Sequence, residues 1–171
     1  MTPYYTHWHP TVFNGIQFKS KLEARWYIVF THLGLSAVYE PRRFAIPELQ
    51  HTPEHYYTPD FGLLNLPYPI VEIKPDFSLK SGVITQAVLK LKSVSCSTPC
   101  ALIIGSCWPG EFDVLFFDNG KRIRPKVGAI SKVYLALGRS ESKSVVALKV
   151  LLGGWRGDYM GAFRYSYEVI K

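Results

Sequence analysis

Two carboxylates and an amine stand out in the stretch Tyr57-Thr-Pro-Asp60-Phe-Gly-Leu-Leu-Asn-Leu-Pro-Tyr-Pro-Ile-Val-Glu72-Ile-Lys74. Its two apolar runs read as strands that can pair as a hairpin. In the register that sets Asp60 opposite Glu72, position 62 faces 70 and 64 faces 68, leaving Asn65–Pro67 as a three-residue loop. The carboxylates then share one face, about 4.5–5.5 Å apart at Cβ. Lys74, two residues beyond Glu72, points to the same side, while Val71 and Ile73 point to the other. Two like charges facing each other destabilise a strand pair unless something neutralises them. A hard divalent cation does so, binding carboxylate oxygens together with water and phosphate oxygens. A neighbouring lysine can orient or deprotonate an attacking water, or stabilise charge developing on phosphorus. These are the parts of metal-assisted phosphodiester hydrolysis. The same letters also suit a surface strand whose Glu72 and Lys74 are merely solvated.

A third acid, Glu23, is placed by a helix. Ser20 is its predicted N-cap and Gly34 its stop, and Leu22, Trp26, Val29 and Leu33 form its apolar stripe. Glu23 lies beside that stripe and can approach the carboxylate pair. It has a second reading, because Ser20-Lys-Leu-Glu23 fits the capping box, in which Glu reaches back to the N-cap amide and does nothing catalytic.

Other chemistry-bearing residues point elsewhere or nowhere. His51-Thr-Pro-Glu-His55 spells an inverted zinc-protease motif, but that motif needs a helix and Pro53 interrupts it. His7 and His9 read as surface residues of an aromatic arm. The three cysteines, Cys96, Cys100 and Cys107, are an odd number without zinc-ribbon spacing and read as free core thiols. Lys121, Arg122, Arg124 and Lys126 form a basic cluster after a turn, suited to phosphates or to plain solvation. Arg42 and Arg43 fall between the first helix and the Asp60 strand and are candidates to line a groove. Trp155, Tyr159, Tyr4, Tyr5 and Trp8 suit base stacking, core packing or a dimer interface.

The elements needed to hold these residues follow from local signals. An extended arm over 1–11 leads to an Asn14-Gly15 hairpin within Val12–Phe18. After the first helix come short strands at Ala37–Glu40 and Phe44–Ile46, then Tyr56–Leu64 and Ile70–Lys74. A second helix runs from Ser81 to about Ser93, burying Ile84, Ala87, Val88 and Leu91. Strands follow at Ala101–Ile104 and Phe112–Phe117, and Asp118-Asn119-Gly120 turns the chain. A short helix at Ser144–Leu152 and a late strand at Phe163–Tyr167 complete the expectation. This order predicts an α/β sandwich with a central mixed sheet flanked by helices.

With 171 residues, no internal repeat and no low-complexity linker, the chain is expected to form one domain: a core over 12–120 and an extension over 121–171. Hydrophobic residues at 47% and charged residues at 19% exclude disorder by composition. Twenty Lys and Arg against thirteen Asp and Glu give a net charge of +7, which favours a polyanionic partner. No apolar run reaches the roughly 18 residues of a membrane span, and the first residues lack a signal-peptide layout. A cytoplasmic protein is expected.

Together, Phe18-Lys-Ser-Lys-Leu-Glu23-Ala-Arg-Trp, Val38-Tyr-Glu-Pro41, Tyr57-Thr-Pro-Asp60-Phe and Val71-Glu72-Ile-Lys74 resemble the PD-(D/E)XK nuclease superfamily. Within it they resemble the branch of phage endonuclease I-type Holliday junction resolvases, transposon end-cleaving nucleases and small phage or bacterial endonucleases. The resemblance spans about residues 13–75. It implies a restriction-endonuclease-like αβββαβ core and a Mg²⁺- or Mn²⁺-dependent DNA endonuclease in a phage or mobile-element context. Glu23, Asp60 and Glu72 would bind the cation and Lys74 would serve the water. Gln86 is the implied polar residue of the following helix, with Lys90 one turn on. DNA is the implied partner, with no small-molecule cofactor. A resolvase would be a homodimer, and the aromatic region from Val145 onward is the candidate interface. The competing reading is a catalytically silent nucleic-acid-binding protein on the same fold, and RNA stays open as a substrate.

Overall fold

Asn14 and Gly15 take φ of 48° and 76° and turn the chain between β1 (Thr11–Phe13) and β2 (Ile16–Phe18), as the Asn-Gly pair predicts. These coordinates belong to a computed structural model that describes residues 10–53, 55–75, 82–124, 147–149, 151–152 and 157–171. The expected arm thus lies mostly outside the described residues, and Thr11 already belongs to β1. Helix α1 (Lys21–His32) starts at Ser20, whose hydroxyl accepts from the Glu23 N–H at 3.2 Å. It stops where Gly34 takes φ 76°. Its buried face is wider than the predicted stripe, since Ala24, Ile28 and Phe30 join Trp26, Val29 and Leu33, whereas Leu22 is half-buried.

Next come β3 (Ala37–Tyr39), β4 (Phe44–Ala45), β5 (Tyr56–Tyr57), β6 (Phe61–Leu63) and β7 (Ile70–Lys74). Helix α2 (Gly82–Ser95) precedes β8 (Cys100–Gly105), β9 (Phe112–Asp118) and β10 (Lys121–Ile123), and α3 (Tyr159–Val169) lies near the end of the chain. The main sheet has six strands in the order β10-β9-β8-β7-β6-β3. Only β7 and β8 run parallel, with α2 between them in sequence; every other neighbouring pair is antiparallel. A mixed sheet with helices on its faces is the α/β arrangement the sequence predicts. On one face α1 and α3 pack over Phe61, Leu63, Val71, Ile73, Ala101 and Ile103. On the other, α2 and a small β4–β5 ribbon cover Ile70, Cys100, Leu102, Ile104 and Phe117.

Three expectations need correction. The run 56–64 is not one strand: β5 pairs with β4 in the ribbon, and β6 pairs with β3 and β7 in the main sheet. The break falls at Thr58–Pro59, where proline has no N–H to give a ladder. The hairpin loop is also longer than three residues, because pairing stops at Gly62↔Ile70 and Leu63 N–H bonds Pro69 O. Finally, Phe163–Tyr167 lies within α3 and is not a strand. Asp158 caps that helix by accepting from the Gly161 N–H at 2.8 Å, and Tyr159, Ala162, Phe163 and Ser166 are its buried stripe. The alternation read from 163 onward is this helical pattern entered midway. Residues 147–149 are helical, as expected there, while most of the predicted helix at 144–152 lies outside the described residues.

Described residues after 120 join the core. β10 extends the main sheet, and Phe163 meets the Trp26 and Phe112 rings at 5.9 and 6.0 Å. Aromatic residues assigned to a dimer face are in part core residues, and Met160, Tyr165 and Val169 are left exposed.

Candidate functional site

Asp60 ends the link from the ribbon to the main sheet, and Glu72 sits on the central strand β7. The observed pairs Phe61↔Val71 and Gly62↔Ile70 are the predicted register, so Asp60 and Glu72 adjoin on the α2 side. Strand alternation puts Val71 and Ile73 into the α1-side core and leaves Lys74 with the acids. Asp60 is 7% exposed and Glu72 4% exposed, so neither is a solvated surface carboxylate. Lys74 Nζ pairs with Glu72 Oε1 and lies 3.8 Å from Asp60 Oδ2.

The remaining oxygens divide into held and open. Glu72 Oε2 accepts from Tyr57 OH at 2.6 Å and from the Asp60 N–H at 3.2 Å. Asp60 Oδ2 accepts from the Ile73 N–H at 2.7 Å. No hydrogen bond reaches Asp60 Oδ1 among the described residues, and it is not among their fully buried side-chain atoms without a partner, of which Trp26 Nε1 in the other core is the one case. Burial first, then the facing Glu72 charge, push the Asp60 pKa well above the usual carboxylate value, against the pull of Lys74. Burial works against the Lys74 ammonium too, but Asp60 and Glu72 outweigh it and hold its pKa above the ordinary lysine value.

With both carboxylates ionised, one ammonium leaves this buried group one positive charge short, a deficit that a proton on Asp60 or a bound cation makes up. Among the described residues no three His, Cys, Asp or Glu side chains are grouped to hold a metal ion. A Mg²⁺ site nevertheless needs only one or two carboxylates when waters and phosphate oxygens complete it. Asp60 and Glu72 fit that requirement, with Oδ1 open and the charge deficit of the right sign.

Glu23 comes from the other side. Its Oε2 accepts from Tyr39 OH at 2.5 Å and the Lys19 N–H at 3.2 Å, and its Oε1 from the Ser20 hydroxyl at 3.0 Å. Ser20 caps the helix as read, but Glu23 reaches back to the Ser20 hydroxyl and to the Lys19 N–H one residue earlier, where the capping box would have it at the Ser20 N–H, and Tyr39 of β3 is an extra partner that sequence spacing does not reveal. Glu23 is still near enough for its charge to add to the push on Asp60 and the hold on Lys74. Beside it, Lys19 pairs with Glu40, whose N–H bonds Asp60 O at 2.9 Å and whose φ is 47°.

The other candidates are more scattered. Gln86 is exposed on α2, and no hydrogen bond ties it to the acids among the described residues; Lys90 is half-buried one turn on. Arg42 and Arg43 are exposed beside the ribbon, over the Phe44 and Tyr56 rings at 4.5 and 4.9 Å. Arg42 also donates to Thr98 Oγ1 at 3.4 Å. Lys121 and Arg122 are exposed on the edge strand β10, and Arg124 just after it. That segment reads as a strand edge and not as a loop, three strand spacings (about 14 Å) from β7. Lys126, Trp155, Tyr4, Tyr5 and Trp8 lie outside the described residues. Tyr57, a direct partner of Glu72, was not among the predicted site residues. Its only sequence signal is the Tyr two positions ahead of Pro59-Asp60.

Comparison with family models, curated proteins and solved structures returns no match for this chain. No helix among the described residues is long and apolar enough to cross a membrane.

Proposed function

We propose that the chain is a metal-dependent DNA endonuclease with a site of the PD-(D/E)XK type. The observation that carries this reading is the buried Asp60–Glu72 pair with Lys74 between them and one charge short of neutral. The sheet supports it: α1, then the meander β3-β6-β7, then α2 and a parallel β8 follow the αβββαβ order of a restriction-endonuclease-like core. The net charge of +7 suits a polyanionic substrate.

Asp60 and Glu72 would hold Mg²⁺ or Mn²⁺. Such an ion, when bound, supplies Lewis-acid chemistry that acidifies water and polarises a phosphoryl oxygen. Lys74, kept as an ammonium by its neighbours, orients the attacking water and offsets charge developing on phosphorus. Burial of both acids limits their competition with bulk solvent. Glu23 would act from the first helix as a further acid once its Tyr39, Lys19 and Ser20 contacts are exchanged.

The test is a panel of supercoiled, linear, branched and single-stranded DNA, with Mg²⁺, Mn²⁺ or EDTA. Metal-dependent cutting is expected, with a loss of at least about a hundredfold in Glu72→Gln. Equal cutting by Glu72→Gln, or cutting in EDTA, contradicts the assignment.

One observation favours a second reading, a nucleic-acid-binding protein that does not cut. The Glu23 oxygens are already occupied by Ser20, Lys19 and Tyr39. That protein would bind DNA with the same salt dependence with or without metal and would tolerate Asp60→Asn.

A further inference from the structure

The β4–β5 ribbon stands apart from the main sheet, yet it delivers one side chain to the site. Phe44 pairs with Tyr57 and Ala45 with Tyr56, so the ribbon has an inner face carrying Phe44 and Tyr57 and an outer face carrying Tyr56. Tyr57 is 7% exposed, its ring packed in the core shared with Ile46, Ile70, Ile84 and Cys100. Its neighbour Tyr56 is 49% exposed. From this fixed seat the Tyr57 hydroxyl donates to Glu72 Oε2 at 2.6 Å.

A buried tyrosine hydroxyl needs a partner, and a buried carboxylate needs its lone pairs satisfied. Here each meets the other's need, and the Asp60 N–H adds a second donor to the same oxygen at 3.2 Å. An oxygen held by two donors of fixed position cannot swing, so the carboxylate plane is set and Oε1 is turned towards Lys74. Partners that orient a ligating carboxylate typically change metal affinity 10–100-fold when removed.

We infer that Tyr57 is the positioning residue of the site: it pins Glu72 Oε2 and thereby fixes Oε1, which faces Lys74, so that its second lone pair can take a divalent cation. The inference rests on the proposed reading that Asp60 and Glu72 bind such a cation. It assigns the ribbon a role in the site, because the chain leaves β5 through Thr58–Pro59 straight into Asp60.

The test compares Mn²⁺ binding, by electron paramagnetic resonance titration without DNA, in the wild type, Tyr57→Phe and Phe44→Leu. Tyr57→Phe removes only the hydroxyl and keeps the ring. Phe44→Leu loosens the same inner face without touching Glu72, and thermal melts report the fold of each. Mn²⁺ affinity about tenfold weaker in Tyr57→Phe, and within twofold of wild type in Phe44→Leu, is expected. Cutting by Tyr57→Phe should then need about tenfold more Mn²⁺ for half-maximal rate and reach the same plateau. Unchanged affinity in Tyr57→Phe, or an equal loss in Phe44→Leu, overturns the positioning role while leaving the metal site standing. Absence of Mn²⁺ binding in the wild type overturns both.

Discussion

At the scale of single residues, Asp60 and Glu72 are placed where a stable protein would not put them without a reason. Two carboxylates buried side by side raise the Asp60 pKa, and one lysine does not balance them. The folded pKa of Asp60 lies above its unfolded value, so the native state holds its proton more tightly. Its contribution to stability is complete below the unfolded carboxylate pKa and is lost as pH rises through the folded pKa. The metal-free protein should therefore lose stability as pH climbs through that window, and Asp60→Asn should flatten the loss. At neutral pH Asp60→Asn should stabilise the metal-free fold by about 0.5–1 kcal/mol, the scale of facing like charges. Thermal melts in EDTA across pH check this; a substitution that destabilises at neutral pH would show the pair to be a structural ion network. The acid pair was legible because Val71 and Ile73 alternate with Glu72 and Lys74, and alternation fixes a face. Tyr57 was not, because its bond to Glu72 spans fifteen positions and two sheets, and no local period encodes that.

At the scale of elements, the first helix carries a cap and a candidate ligand in one sequence. Ser20 and Glu23 form the cap, and the same Glu23 is the third candidate ligand. The two roles separate by substitution. Ser20→Ala should lower stability by about 1 kcal/mol through the lost cap and leave cutting at saturating Mg²⁺ near wild type. Glu23→Gln keeps most of the cap's hydrogen bonds and should reduce cutting at least tenfold if the side chain serves the site. Melts and cleavage rates on the same preparations decide; equal activity in both variants leaves Glu23 with the cap alone. Local punctuation made this helix and the Asn14-Gly15 hairpin readable. The strand break at Thr58–Pro59 was hidden because Tyr56–Leu64 is continuous in β propensity, and only tertiary pairing tells a ribbon strand from a sheet strand. The late helix was misread because Phe163-Arg-Tyr-Ser-Tyr167 satisfies both periods when its start at Asp158 is ignored.

At the scale of the whole molecule, the two cores divide the labour. The α1–α3 side is dense and aromatic, with Trp26, Phe30, Phe61, Phe112 and Phe163 interlocked. The α2 side is thinner and carries the acids at its margin. Positive charge is spread over separate regions, with Arg42 and Arg43 by the ribbon and Lys121, Arg122 and Arg124 at the far sheet edge. Net charge was readable from composition, but its placement depended on strand order, which sequence does not reveal. The central claim is that Asp60 and Glu72 together bind a divalent cation. Anomalous diffraction from crystals soaked in Mn²⁺ tests it most directly: the account predicts one strong peak within coordination distance of Asp60 Oδ1 and Glu72 Oε1, absent in Asp60→Asn. No peak at saturating Mn²⁺, or a peak that avoids both carboxylates, would contradict it.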